Sequence, residues 1–292
     1  MGKRGDARLF GVLGDPVDHS LSPAMQNAAF AAAGLPHLYL RFRVTADSLP
    51  NAIAEARRLE MGGLNLTVPL KEAALPLVDE LTPEASRVGA VNTVVFRRGG
   101  IVGDNTDAHG FLRALEGRVT LDGAHVVVIG AGGSARAVGT ALATARVRHV
   151  TIANRTIHRA VDLAATFDRL DAFGTSVVGL EVLEDGIGLG DVRLVVNTTS
   201  TGLSADAIPF RHGGTPADCL FMDLVYGPQP TAFLRAAARA RRRTLDGSRM
   251  LLHQGALAFE AWMGAPAPLD AMRRALADVG LPVGTSPTSK GH

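Results

Sequence analysis

Cysteine is almost absent from this chain of 292 residues, in which Cys219 is the only thiol. A single cysteine cannot form an intrachain disulfide, and it falls short of a thiolate metal site. We therefore expect a reducing compartment, the cytoplasm, and no bound metal. Long apolar runs are missing too: no segment approaches the ~18 residues of a membrane span, and the basic start lacks the apolar core of a signal peptide. We expect a soluble protein without a membrane partner.

Neither sign of charge is in large excess. Thirty basic and twenty-eight acidic side chains leave a net charge of +2, and the one dense basic run, 238–243, is interpreted as the solvated end of a helix. Because nucleic-acid binding needs a clustered basic face, we expect a small-molecule partner and keep a nucleic-acid surface as the weakest alternative. Lysine is rarer still: Lys3 and Lys290 lie near the termini, so Lys71 is the one lysine in the folded body.

The composition that remains is that of an ordinary globular protein, with 47% hydrophobic and 20% charged residues. The length suggests two domains. Short apolar strands alternate with helix-forming stretches, which predicts an α/β fold. In the first part of the chain, the runs 91–96 and 101–103 flank a glycine-containing turn and predict a hairpin, so the first sheet should be mixed. A helix is expected at Ser22, with that serine as its N-cap.

The sequence changes character near Leu121. The run 125–129 is continuously apolar, as expected of a strand buried on both faces, and the β-α-β units after it predict a doubly wound, Rossmann-type sheet. Two helices near the C-terminus are expected to dock back on the first domain. The predicted domains are 1–110 completed by helices within 247–280, a Rossmann domain over 111–246, and a tail over 281–292. Monomer and homodimer both stay open.

A glycine-rich turn follows the strand at 125–129. Gly130, Gly132 and Ala135 form a G-x-G-x-x-A pattern at the opening of a helix, and Gly133 adds room. Small residues there let a pyrophosphate approach the backbone at a helix N-terminus, whose free N–H groups and dipole favour anions. Taken alone, the pattern also fits tight packing between a strand and a helix.

The next predicted strand ends without the acidic residue that would hold the ribose 2′-hydroxyl of NAD. Asn154, Arg155 and Thr156 stand there instead, with Arg159 one helical turn further on. Two guanidiniums can converge on the 2′-phosphate of NADP, whereas a carboxylate would repel it, so the predicted cofactor is NADP. The alternative is a solvated helix start in an arginine-rich chain.

Compact polar side chains follow the predicted strands of the first domain, and strand ends are the usual place for ligands in open α/β sheets. These side chains are Ser20, Ser22, Asn65, Thr67, Lys71, Asn92 and Asp107. Such a set suits a polyhydroxylated acid. When a nicotinamide takes hydride from an alcohol, the alcohol also loses a proton, and Lys71 is the best acceptor, with Asp107 to orient it. The alternatives are a surface lysine beside Pro69 and an Asp107 that only caps a helix.

Nine segments carry a resemblance to a known family: GDPVDHSLSPAMQNAAF, GLNLTVPLK, GAVNTV, GDNTDAHG, GAGGSARA, NRT, NTTSTGL, DLVYGPQPT and MLLHQGALAFEAW. In this order, and along almost the entire chain, they resemble the shikimate dehydrogenase family. The resemblance implies an N-terminal substrate domain, a Rossmann domain that binds NADP, and reversible reduction of 3-dehydroshikimate to shikimate in aromatic amino-acid and chorismate biosynthesis.

The resemblance also implies roles for single residues. Lys71 and Asp107 become the catalytic pair, and Ser20 and Ser22 become hydroxyls that bind the substrate carboxylate. The other substrate contacts are Asn65, Thr67, Asn92, Tyr226 and Gln254. The cofactor-binding residues are Gly130, Gly132, Gly133, Ala135, Asn154, Arg155, Thr156, Arg159, Leu224 and Gly247. The departures from the family pattern are Gln26 in place of His, Ala108 in place of Gly and Leu224 in place of Met, and none removes a catalytic group.

Two alternative functions stay open. A paralogue of the same fold could prefer quinate or an amino analogue and use NAD, although the paired serines and Arg159 argue against it. A non-catalytic NADP-binding sensor on this fold would have lost Lys71 or Asp107, and both are present.

Overall fold

The chain divides into two compact units. The computed structural model describes residues 6–186, 188–199, 201 and 210–284. Within these ranges, unit 1 comprises the residues up to Gly110 together with Leu251–Val283, and unit 2 comprises Phe111–Met250 with Gly284. No helix in the described ranges is both long and apolar enough to cross a membrane.

Strands and helices alternate along the chain. The strands are β1 (Leu9–Gly14), β2 (Leu38–Arg43), β3 (Gly63–Leu66), β4 (Glu80–Leu81), β5 (Thr93–Arg97), β6 (Gly100–Asp104), β7 (His125–Ile129), β8 (His149–Ala153), β9 (Gly174–Val178), β10 (Val192–Asn197), β11 (Leu220–Asp223) and β12 (Arg243–Leu245). The helices are α1 (Ser22–Ala32), α2 (Leu49–Arg58), α3 (Leu70–Ala73), α4 (Pro83–Val88), α5 (Asp107–Leu115), α6 (Gly133–Thr144), α7 (Ile157–Asp168), α8 (Val182–Asp185), α9 (Ala232–Arg239), α10 (Ser248–Met263) and α11 (Leu269–Asp278).

Unit 1 contains a mixed sheet of six strands in the order β2-β1-β3-β5-β6-β4. Strand β5 runs antiparallel to both of its neighbours, β3 and β6. The predicted hairpin and the predicted mixed sheet are therefore confirmed. The apolar core on this sheet includes Leu64, Val94 and Ile53, all nearly inaccessible to solvent.

The C-terminal helices contribute to unit 1. Helix α11 packs against α1, and the Trp262 indole on α10 donates a hydrogen bond to the carbonyl of Val94 at 3.0 Å. A Cβ at Gly63 would overlap the Trp262 ring, so glycine at this position in β3 allows the helix to lie on the sheet. Leu281 and Val283, which the sequence assigns to a tail, are buried. The remainder of that tail, 285–292, lies outside the described residues.

The start of α1 differs from the prediction that Ser22 caps this helix. Leu21 occupies the N-cap position, and no side chain caps the helix there. The Ser22 N–H donates instead to the Ser20 hydroxyl, at 3.4 Å. Because Ser20 accepts this N–H, Ser22 enters the first helical turn, where it is buried.

Unit 2 contains a sheet of six parallel strands in the order β12-β11-β10-β7-β8-β9. The strands reverse their direction of addition between β7 and β10, as in the doubly wound dinucleotide-binding sheet, so the predicted Rossmann-type fold is confirmed. Strand β7 is buried along its whole length, as its apolar run predicts. Ligands in such sheets bind beyond the carboxyl ends of the strands that flank the reversal.

The basic run 238–243 is not one solvated helix end. Helix α9 stops at Arg239, and the chain then turns through Arg241, whose φ is +56°. Arg242 donates to the Thr215 hydroxyl at 3.0 Å, and Arg243 belongs to strand β12. The guanidiniums are thus divided among a helix end, a turn and a strand.

Candidate active site

The polar residues of unit 1 gather at one edge of its sheet. Strands β1, β3 and β6 end at this edge, and the antiparallel strand β5 begins there. Asn65 lies in β3, Thr67 directly follows that strand, and Asn92 directly precedes β5. Asp107 opens helix α5, which follows β6. The strand directions therefore bring together side chains that are far apart in the sequence.

The Lys71 ammonium and the Asp107 carboxylate form a buried ion pair. Lys71 Nζ lies 2.5 Å from Asp107 Oδ2, and the two side chains are only 12% and 6% exposed. The Asp107 N–H donates to Asn105 Oδ1 at 3.1 Å. The Asn105 side chain therefore caps this N–H at the start of α5, and the Asp107 carboxylate pairs with Lys71. The alternative interpretations, a surface lysine and a carboxylate that only caps a helix, are therefore wrong.

A chain of hydrogen bonds links the two predicted asparagines. Asn65 Oδ1 accepts from the Tyr39 hydroxyl at 2.7 Å, and Asn65 Nδ2 donates to the Thr93 hydroxyl at 3.1 Å. The Thr93 hydroxyl donates to Asn92 Oδ1 at 2.8 Å, and the same oxygen accepts the Thr106 N–H at 2.9 Å. Sequence reasoning missed Tyr39, Thr93 and Thr106. The signal at Thr93 was a second polar residue beside Asn92 in an otherwise apolar strand.

The remaining predicted substrate residues of unit 1 lie at three other places in the unit. Thr67 follows the end of β3, with its N–H donating to the carbonyl of Leu13 in β1 at 2.9 Å. Gln254 lies on α10, where a Cβ on Gly110 would stand 2.8 Å from the Gln254 Cβ. Gly110 is one turn along α5 from Asp107, so the contact places Gln254 beside the catalytic candidates. Ser20 and Ser22 lie at the start of α1.

The glycine-rich turn after β7 fits a dinucleotide pyrophosphate. Gly130 has a φ of +111°, and a Cβ there would stand 2.5 Å from the Thr198 hydroxyl, so a side chain is excluded. Apart from the neighbouring residues along the chain, no described atom lies within 4 Å of the position that a Cβ on Gly132 would occupy. Helix α6 begins at Gly133 without a side-chain cap, and Ala135 is fully buried in its first turn. Open space above uncapped N–H groups is what an anion requires.

The turn after β8 presents two cations. Arg155 and Arg159 are exposed, and within the described part of the chain neither guanidinium has a hydrogen bond or an ion pair. The Asn154 side chain donates to the Thr156 carbonyl at 2.9 Å, which fixes the turn that carries Arg155. The structure thus leaves both guanidiniums available to a phosphate, and the turn holds no carboxylate that would oppose one.

The segment after β11 carries the other predicted residues of unit 2. The Leu224 N–H donates to the Asn197 carbonyl at 3.0 Å, and a Cβ on Gly247 would overlap the carbonyl of Leu224. These two cofactor candidates are therefore in direct contact, with the half-buried Tyr226 two residues further on. The buried Asp223, which sequence reasoning missed, anchors the segment.

Asp223 accepts three hydrogen bonds: from the Thr231 hydroxyl at 2.6 Å, from Asn197 Nδ2 at 2.9 Å and from the Val225 N–H at 3.1 Å. Burial raises the pKa of the Asp223 carboxyl, while these hydrogen bonds oppose the rise. The carboxyl thus joins the ends of β10 and β11 to the start of α9.

Comparison with known proteins covers nearly the whole chain. Three family models match: the shikimate dehydrogenase substrate binding domain over residues 12–94, shikimate / quinate 5-dehydrogenase over 113–203, and the shikimate 5′-dehydrogenase C-terminal domain over 247–277. Among curated proteins, a shikimate dehydrogenase (NADP(+)) from Symbiobacterium thermophilum is 45% identical over 281 residues, which cover 93% of this chain and 94% of that protein.

Solved structures give the same result. Shikimate 5-dehydrogenase from Thermus thermophilus, in complex with NADP(H) and shikimate, is 42% identical with a TM-score of 0.80, covering 93% of this chain and 99% of that one. Quinate dehydrogenase from Corynebacterium glutamicum, in complex with NAD, is 34% identical with a TM-score of 0.82, covering 94% and 100%. With matches of this identity over almost its full length, the chain belongs to the shikimate dehydrogenase family.

Proposed function

We propose that this chain is an NADP-dependent shikimate dehydrogenase, which reversibly reduces 3-dehydroshikimate to shikimate in aromatic amino-acid biosynthesis. The observation that carries the proposal is the buried ion pair of Lys71 and Asp107, at 2.5 Å. It supplies a proton donor beside hydroxyl and amide side chains, and Lys71 itself lies in the part of the chain that matches the shikimate dehydrogenase substrate binding domain. A non-catalytic sensor would have no need of such a pair.

Ketone reduction requires a hydride at carbon and a proton at oxygen. NADPH, when bound, supplies the hydride from its nicotinamide ring. Lys71 donates one of its three N–H bonds to Asp107 Oδ2 and keeps two for a ligand. In the direction of reduction, one of these N–H groups holds the carbonyl oxygen and delivers the proton as negative charge develops there. In the reverse direction the same nitrogen accepts the hydroxyl proton, and Asp107 keeps it oriented.

The other polar residues of the site bind and orient the substrate. The Ser20 and Ser22 hydroxyls bind its carboxylate at the start of α1, where the helix dipole also favours an anion. The ring hydroxyls and carbonyl are held by Asn65, Thr67, Asn92, Tyr226 and Gln254.

The predicted cofactor residues of unit 2 hold NADP. Gly130, Gly132 and Gly133 admit the pyrophosphate to the start of α6, where Ala135 permits close packing. Arg155 and Arg159 bind the 2′-phosphate, with Asn154 and Thr156 shaping their turn. Leu224 and Gly247 line the cofactor from the ends of β11 and β12.

The test is an assay of nicotinamide reduction with shikimate or quinate and with NADP or NAD, in all four combinations. Shikimate with NADP should give the highest kcat/KM. Faster turnover of quinate with NAD would favour the activity named for the relative from Corynebacterium glutamicum. Turnover in none of the four mixtures would overturn the proposed function.

A further inference from the structure

Thr93 lies between the two asparagines of the proposed substrate site. It is fully buried, so its hydroxyl meets protein atoms only. The hydroxyl donates to Asn92 Oδ1 at 2.8 Å and accepts from Asn65 Nδ2 at 3.1 Å. A hydroxyl has one proton to donate, so these two contacts have opposite directions.

The direction of each contact follows from backbone groups, which cannot exchange donor and acceptor. The Thr106 N–H donates to Asn92 Oδ1 at 2.9 Å, so the atom facing Thr93 on that side is an oxygen. Thr93 must therefore spend its proton on Asn92 and accept from Asn65. The Asn92 backbone carbonyl fixes the orientation of the Asn65 amide in the same way, because it accepts a second hydrogen bond from Asn65 Nδ2 at 3.2 Å.

This arrangement decides what each amide has left for a ligand. Asn65 Nδ2 spends both of its hydrogens on Asn92 and Thr93, so only Oδ1 retains capacity, beyond the bond it accepts from Tyr39. Asn92 Nδ2 spends one hydrogen on the Thr106 hydroxyl at 3.0 Å and keeps one. Toward a ligand, Asn65 is an acceptor and Asn92 is a donor.

We infer that Thr93 is a positioning residue that joins the two amides and holds them in this polarity, so that a substrate hydroxyl donates to Asn65 and another accepts from Asn92. The inference rests on the proposed function, since it concerns the same site. Without the Thr93 hydroxyl, Asn65 Nδ2 loses an acceptor and Asn92 Oδ1 loses a donor. Asn92 Oδ1 then keeps only the donors of Thr106, and Asn65 Nδ2 keeps only the Asn92 carbonyl, so both amides are held less firmly in the orientation that the substrate requires.

The experiment compares Thr93→Val, which keeps the shape and removes the hydroxyl, with Thr93→Ser, which keeps the hydroxyl and removes a methyl. Both are made in the full chain, and kcat and KM are measured for shikimate and for NADP. Thr93→Val should lower kcat/KM for shikimate about ten-fold, mainly through KM, as expected for the loss of a buried hydrogen bond. Thr93→Ser should stay within about two-fold of wild type, because its hydroxyl restores the network. The KM for NADP should be unchanged in both.

Equal KM values for shikimate in the two variants, or a loss in Thr93→Ser as large as in Thr93→Val, would overturn the inference and leave the proposed function intact. A wild-type chain that does not turn over shikimate would overturn both. If Thr93→Val does not fold, Thr93→Ala removes the same hydroxyl without adding a methyl and enters the same comparison with Thr93→Ser.

Discussion

At the scale of single residues, the proposed chemistry depends most on the buried ion pair of Lys71 and Asp107. Lys71→Ala removes the group proposed to move the proton, and Asp107→Asn removes the charge proposed to orient it. Each change should lower kcat by about 10² or more, the usual scale for a positioned proton-transfer group. The KM for NADP should change little, because neither residue belongs to unit 2. Steady-state kinetics with shikimate and NADP measure both effects.

A matched control is the ion pair of Glu55 and Arg58 on α2, which is as short as 2.7 Å but exposed. Exposed pairs contribute little to stability, so Glu55→Gln should leave kcat unchanged. Turnover of Lys71→Ala at the wild-type rate would exclude Lys71 from the chemistry, whatever the control shows.

The raised pKa of Asp223 predicts how the stability of the protein depends on pH. Burial raises the pKa of its carboxyl above the ordinary value, so the folded chain holds this proton more tightly than the unfolded chain does. The favourable contribution is complete below the unfolded pKa of about 3.9 and is lost as the pH rises through the higher folded pKa. Asp223→Asn has no such proton. Relative to wild type, the variant should therefore be more stable, with a larger free energy of unfolding, at about pH 7 than at about pH 4.

Urea unfolding of both proteins at the two pH values measures this difference. Asn can keep Oδ1 on Asn197 and Val225 and turn Nδ2 toward the Thr231 hydroxyl, so the variant should fold. A difference in stability that is the same at both pH values, or larger at the lower one, would contradict the assignment.

The residues that could be predicted from the sequence are those whose chemistry is visible in one place. Lys71 stands out because lysine is rare in this chain, and the glycines stand out because they follow an apolar strand. Tyr39 and Asp223 gave no such signal. Their roles depend on strand pairing: Asn65 lies opposite Thr93 only because β3 and β5 are antiparallel in that register.

At the scale of the elements, the proposed choice of cofactor depends on the turn between β8 and α7. Two free guanidiniums and no acid should favour NADP over NAD by on the order of 10²-fold in kcat/KM, since each charge-assisted contact is worth ~1.5–3 kcal/mol and both side chains are exposed to screening. Arg155→Asp should reverse or erase this preference, because it removes an attraction to the 2′-phosphate and adds a carboxylate for the 2′-hydroxyl of NAD. Arg159→Ala should weaken the binding of NADP and leave the binding of NAD unchanged. The ratio of kcat/KM for the two cofactors is the measurement.

Arg169→Ala is the control for these arginine variants. This residue follows the other end of α7 and is likewise exposed, but it donates to the Thr166 hydroxyl at 3.2 Å and stands far from the turn along the helix. Its removal should leave the cofactor ratio unchanged. A wild-type chain that uses NAD as well as NADP, or an unchanged ratio in Arg155→Asp, would refute the role assigned to this turn.

The existence and type of most elements followed from apolar periodicity and glycine positions, whereas the details of their ends did not. Serine is a favoured N-cap residue, yet the Ser22 N–H donates to the Ser20 hydroxyl. The chain makes a turn just before α1, where the Ser20 N–H donates to the Val17 carbonyl. The C-terminal boundary was similarly displaced. Leu281 and Val283 are buried, and no local pattern in the sequence predicts that burial.

For the whole molecule, the decisive feature is that unit 1 is discontinuous in sequence. Its N-terminal part supplies the sheet and the ion pair, while Leu251–Val283 supplies helices that cover the sheet. Phe259 lies against Phe30, with ring centroids 5.6 Å apart, and Gly255 accepts a hydrogen bond from the buried Gln26 at 2.8 Å. The core of unit 1 is therefore completed only after the chain has passed through unit 2.

Removal of residues 251–292 should for this reason abolish shikimate binding. The deletion takes away the indole that bonds Val94, uncovers the aromatic cluster of Phe10 and Phe30, and removes Gln254 itself. A chain that ends at Gly284 keeps both helices with the buried Leu281, and should bind as the full chain does. Isothermal titration with shikimate measures both truncations. In the chain that ends at Gly284, the fluorescence of Trp262, the only tryptophan, independently reports whether unit 1 is folded. If the shorter chain still binds shikimate, the C-terminal helices are not part of the substrate site.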